Sequence, residues 1–261
     1  MQSILRVELW KATHNIKFYI ALTAGVLFAV LDAILTGNGP LYGVCMIVSP
    51  TNLGSALFFF FWPILVALPY GWSFWKEKKD QSYIQIEARV CRKEFFWAKF
   101  MAVFISGGIV MSIPILLNIL ILALFHPYEM PHVLSGMNAL VNGYFLSSLY
   151  HSNLWLFLFI WCLVDFLWGG VIACFCLVVG SKPTFQVMVI LTPYLVLLAL
   201  EIILNTFLYG PNFTLYEVCP MELAKAGTLS ANPGWIIFSE MGLFAALDIG
   251  LGYWQVVKHE L

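Results

Sequence analysis

Charge is what this sequence lacks. Only 10% of its 261 residues are Asp, Glu, Lys or Arg, and they sum to a formal net charge of −1. Ordinary soluble domains carry about 25% charged residues. With so few, a water-soluble globule could not cover its surface with solvated groups. A chain so nearly neutral offers no broad basic field to a phosphate backbone, which excludes a nucleic-acid partner. Six cysteines in 261 residues do not make a secreted disulfide scaffold. The place of charge is taken by 61% hydrophobic residues, among them 22 Phe and 10 Trp, types that suit lipid-facing and headgroup-level positions. The sequence therefore reads as an all-α integral membrane protein.

A spanning helix needs about 20 mostly apolar residues. Six segments have that length: Phe18–Thr36, Gly54–Trp75, Phe100–Phe125, Leu154–Val179, Thr184–Tyr209 and Trp235–Val257. Their prolines, such as Pro63, Pro69, Pro114 and Pro193, are tolerated in membrane helices. The connections are too short for an appended soluble domain, so residues 1–261 form one transmembrane domain. Twelve of the 13 basic residues fall on one side of this layout, and only Lys225 falls on the other. The positive-inside rule then places both termini in the cytoplasm of a multi-pass cell-membrane protein. No apolar core with a small-residue cleavage site opens the chain, so no cleavable signal peptide is expected.

Before the first span, Leu5, Leu9, Ala12 and Ile16 form one helical stripe, with Arg6, Lys11 and Lys17 away from it. This is the pattern of an amphipathic interfacial helix; the plainer alternative is a frayed basic N-terminus. Between spans two and three, Trp75 to Lys99 carries 7 of the 13 basic residues. Ser82 and Gln85 match a capping box. Ile84, Ala88, Cys91 and Phe95 then recur at helical spacing, which predicts an amphipathic helix running directly into the third span. Basic residues alone would serve lipid headgroups. The mixed signs of Glu77, Asp80, Glu87, Arg89, Arg92 and Lys93 beside an apolar ridge better fit docking onto a protein partner.

With Glu8-Leu-Trp-Lys11 in the N-terminal helix, Glu77 with Tyr83-Ile84, and Arg89, Arg92, Lys93 and Lys99 beyond, the chain resembles the ABC-2 type transporter permeases. It is most similar to the small permeases of bacterial peptide and lantibiotic exporters. The resemblance covers the whole chain as architecture, while its motifs are confined largely to residues 1–100. It implies that residues 77–93 are a coupling helix seated on separate ATPase subunits. It also implies a short external helical segment at Gly210–Gly234, a second permease subunit, and ATP with magnesium bound in the partner ATPase. The chain itself has no phosphate-cradling G-x-x-x-x-G-K-[ST] loop, so no cofactor and no catalytic site are expected on it.

Acids interrupt the spans: Asp32, Asp165, Glu201, Glu240 and Asp248. A charge at bilayer centre costs about 2.5–3.5 kcal/mol on insertion scales. Two readings follow. The acids line a substrate or proton pathway, as in a proton-coupled secondary transporter, or they make interhelical hydrogen bonds as neutral carboxyls. Gly242, Ala246 and Gly250 form a small-xxx-small series that admits a close helix, from this chain or another. His126, Glu129 and His132 are potential metal ligands, but Pro127 and Pro131 break the helix that would align them and no fourth ligand is evident, so no metal site is expected. Cys45 and Cys219 both fall outside and could pair if near in space. No nucleophile with a neighbouring base emerges, which argues against an intramembrane enzyme.

Overall fold

The computed structural model describes residues 2–37, 41–48, 50–81, 90–127, 145–180, 185–207, 220–225 and 234–254. Among these residues the chain is all-helical, with no strand. In chain order the helices are α1 (Gln2–Thr13), α2 (Ile16–Leu35), α3 (Leu41–Val44), α4 (Leu53–Ala67), α5 (Ser73–Lys79), α6 (Arg92–Phe125), α7 (Ser147–Ser152), α8 (Leu154–Val179), α9 (Gln186–Phe207) and α10 (Trp235–Tyr253).

Five of these, α2, α6, α8, α9 and α10, are long and apolar enough to cross a membrane. The expected second span is not one helix. α4 has 15 residues, about 22 Å at the α-helical rise, and the chain turns through Leu68–Trp72 before α5 begins. Pro69 has no amide proton to continue the ladder. At Gly71 the turn presses so close that an added Cβ would lie 2.8 Å from both the Ala67 carbonyl oxygen and the Cys176 Cβ.

α8 sits at the centre, packed on α4, α6, α7, α9 and α10, while α2 lies against α4 and α6. The α6–α8 crossing is close because glycines face each other there. A Cβ on Gly107 would stand 2.4 Å from the Ala173 Cβ and 2.8 Å from the Gly169 carbonyl oxygen. The packed interior is aromatic, with Trp62, Trp161, Trp168, Phe58 and Phe157 all buried. By contrast, α9 and α10 leave most of their apolar surface uncovered.

Two predicted helical stripes are revised. Asn15 is extended (φ −104°, ψ 138°) and accepts a hydrogen bond from the Lys17 amide, so it caps α2 and separates it from α1. Ile16 consequently starts α2 and is exposed, and the buried face of α1 centres on Glu8 and Ala12. Further on, Cys91 is extended and exposed at the N-cap of α6. The helix therefore begins at Arg92 and does not continue back through Cys91. Burial of Phe95, Phe96 and Lys99 fixes the rotation of its first turns. Ser82, Ile84, Gln85, Glu87, Ala88 and Arg89 lie outside the described residues.

Candidate functional site

The densest polar cluster joins four elements at one end of the bundle. Lys99 lies in the second turn of α6 and is 2% exposed; Glu8 of α1 is 3% exposed. The Lys99 ammonium forms an ion pair with Glu77 of α5, and stands 3.7 Å from Glu8 Oε2. The Tyr70 hydroxyl donates to Glu8 Oε2 at 2.7 Å, and Lys11 Nζ donates to Glu8 Oε1 at 2.7 Å. Lys99 also stands 4.9 Å from the centre of the Phe95 ring and 5.6 Å from that of Tyr70. One buried cation thus holds α1, the turn after α4, and α5 against α6.

Burial by itself would raise the Glu8 carboxyl. The Lys99 ammonium and the hydrogen bonds from Lys11 and Tyr70 outweigh it, and the group sits below its ordinary value of 4.5. Burial and then the Glu8 carboxylate push the Tyr70 phenol above its ordinary value, so Tyr70 stays a donor. A carboxyl depressed on folding stabilises the protein above its unfolded value, and that contribution is lost as pH falls through the folded one. Melting temperature should therefore drop between pH 5 and more acid conditions, and Glu8→Gln should flatten that slope. An unchanged slope in Glu8→Gln would remove Glu8 as its source.

The intramembrane acids divide into two kinds. Asp32 is fully buried and hydrogen-bonded: Oδ1 accepts from the Ser55 amide at 3.1 Å, and Oδ2 from Asn118 Nδ2 at 2.9 Å. Asn118 also donates to the Ala29 carbonyl and accepts from the Met46 amide. This ties α2, α4 and α6 together by interhelical hydrogen bonds. Asp165 on α8 and Asp248 on α10 are equally buried, but among the described residues neither carboxyl has a hydrogen-bond partner. An ionised carboxylate left so costs several kcal/mol. Glu240 is half-buried about two turns before Asp248 on roughly the same face of α10, and among the described residues its Oε2 has no partner. Glu201 on α9 lines a cavity of about 170 Å³ beside Glu222 and Lys225, which pair at 2.6 Å.

The remaining predicted residues are dispersed. Glu77 turns inward to Lys99, while Asp80 and Lys93 are exposed and Arg92 is half-buried. Gly242, Ala246 and Gly250 face away from the bundle, and a Cβ on either glycine would meet nothing within 4 Å. The stripe therefore serves no packing among the described residues. His126 ends α6 half-buried; Glu129 and His132 lie outside the described residues, as does Cys219, whereas Cys45 is buried and donates to the Leu41 carbonyl. Of Gly210–Gly234, the described stretch 220–225 forms turns, and its Ala224 carbonyl accepts from the Trp161 indole.

Sequence reasoning missed the Glu8–Tyr70–Lys99 cluster as a unit. Its signal was an acid set among the apolar positions of α1 and a lysine directly abutting the third apolar run.

Several apolar helices of membrane-spanning length make this a multi-pass helical membrane protein. No protein-family model matches the chain, and no curated protein matches it either.

Proposed function

We propose that the chain is the permease subunit of an ATP-driven exporter of the ABC-2 type, with ATP hydrolysis supplied by a separate ATPase. In this reading α4 makes a sixth crossing with α2, α6, α8, α9 and α10. Both termini and the lysine-rich end lie in the cytoplasm of a bacterial cell, and a second permease subunit completes the pathway. The substrate is an amphipathic peptide or another hydrophobic molecule. The observation that supports this best is the buried Lys99 ion pair, because it makes α1, α5 and the start of α6 one mechanical unit. Force applied by an ATPase at residues 77–93 would reach the third span through Lys99 without passing through lipid. The change is then a repacking of helices between two arrangements, driven by differential contacts with the ATPase.

The test is affinity purification of the tagged full chain from its own membranes, with quantitative mass spectrometry of co-purifying P-loop ATPases. An ATPase should accompany the native chain and be lost on charge reversal at Arg89 and Arg92. Undiminished association after reversal removes the docking role, and absence of any ATPase from the native complex removes the permease reading.

Asp165 and Asp248, buried and without a hydrogen-bond partner among the described residues, favour a second reading, a proton-coupled transporter. It requires transport driven by a pH gradient without ATP and uncoupled by Asp165→Asn.

A further inference from the structure

A cleft of about 510 Å³ opens between the α1–α2 junction and α5 at the lysine-rich end. Lys11, Lys76, Glu77 and Asp80 are the charged side chains that line it. Lys11 is engaged by Glu8, and Glu77 by Lys99. Trp72, also in the wall, is contacted by two ammonium groups: Lys17 Nζ lies 3.6 Å from the ring centroid and Lys76 Nζ 5.7 Å. Among the described residues neither lysine has a carboxylate at ion-pair distance. Each is attracted to the indole ring, yet the two like charges repel one another. An anion that meets both would relieve that repulsion. Ser73, a residue 4% exposed, also belongs to the wall.

The surroundings define the kind of anion. Asp80 is exposed in the same wall, which opposes a dianionic phosphate monoester more than a monoanionic phosphodiester. The cleft also continues into apolar surface. Ile16 at its edge is 69% exposed and begins a stripe with Ile20, Leu27 and Ile34, all exposed. Their spacing keeps them within about 40° of one another around α2. A charged pocket that opens onto an outward apolar stripe of a spanning helix has the form of an amphiphile.

We propose that this cleft binds the headgroup of an acidic glycerophospholipid, its phosphodiester between the Lys17 and Lys76 ammonium groups beside Trp72, and its acyl chains along Ile16, Ile20 and Leu27. The site would anchor the α1–α2 junction to one class of lipid, whatever drives transport. Lys17 and Lys76 supply the attraction, and Trp72 positions both.

Native mass spectrometry of the full chain in dodecyl maltoside tests this. Dioleoyl phosphatidylglycerol, dioleoyl phosphatidylcholine and inorganic phosphate are titrated separately and in competition. Phosphatidylglycerol should survive activation that strips phosphatidylcholine, and should resist displacement by millimolar phosphate. Lys17→Gln with Lys76→Gln should weaken its binding roughly 30-fold, the loss of two lysine–phosphate attractions. The corresponding arginine pair should restore it, and Lys79→Gln, which alters a neighbouring lysine outside the cleft, should leave it unchanged. Equal retention of phosphatidylcholine, or indifference to the double substitution, overturns the proposal. Ready displacement by inorganic phosphate also overturns the lipid assignment and leaves a free-phosphate site. If the glutamine pair fails to fold, the competition on the native chain decides alone.

Discussion

Lys99→Met should destabilise the protein by about 3–5 kcal/mol, the cost of removing one partner from a buried ion pair. The reason lies in what remains. Glu8 and Glu77 would face each other in the space that the ammonium held, two carboxylates without the cation between them. The loss should be largely recovered by adding Glu8→Gln and Glu77→Gln, since replacing an entire buried ion pair is often near neutral whereas breaking it is costly. Cys45, Cys162, Cys174 and Cys176 are free and buried, so maleimide labelling on heating reports unfolding once the exposed Cys91, and Cys219 with it, are replaced by Ser. A Lys99→Met melting curve that overlays the native one would show that the ion pair carries no weight.

Gly107→Val should be the other severe change, costing about 1–3 kcal/mol or more from overpacking. Its first side-chain carbon would already stand 2.4 Å from the Ala173 Cβ and 2.8 Å from the Gly169 carbonyl oxygen. Backbone cannot swing aside as a flexible side chain does, so α6 and α8 would have to separate. Gly242→Ala provides the contrast, because open space surrounds that position and a helical Gly-to-Ala change gains up to about 1 kcal/mol. The same labelling assay ranks the two. A Gly107→Val protein as stable as Gly242→Ala would refute the close crossing.

Much of the fold was legible because apolar run length is a direct consequence of bilayer thickness. Ile16–Leu35, Leu154–Val179 and Trp235–Tyr253 start within a few residues of where composition places them. The run Gly54–Trp75 misled, since composition cannot see that the Pro69–Gly71 turn breaks it. Lys99 misled in the opposite sense. A lysine ends an apolar run, so composition starts the third span at Phe100, with an amphipathic helix leading into it; the helix begins at Arg92 and carries Lys99 buried within its packed face. Hydropathy registers the charge and is blind to the counter-charges of Glu8 and Glu77 that folding brings to it. The difference between Asp32 and Asp165 was likewise hidden. Both are acids in apolar runs, and only the register of α2 against α4 and α6 gives one of them Ser55 and Asn118.

The buried ion pair also has a consequence for biosynthesis. Glu8 and Lys99 are separated by about ninety residues of chain, so Glu8 emerges from the ribosome long before its partner exists. Until α6 is made, α1 has Lys11 but not the cation that completes its anchorage. The docking of α1 is therefore a late event in assembly: the earlier helices enter the membrane first, and the arrival of Lys99 locks the beginning of the chain to its middle.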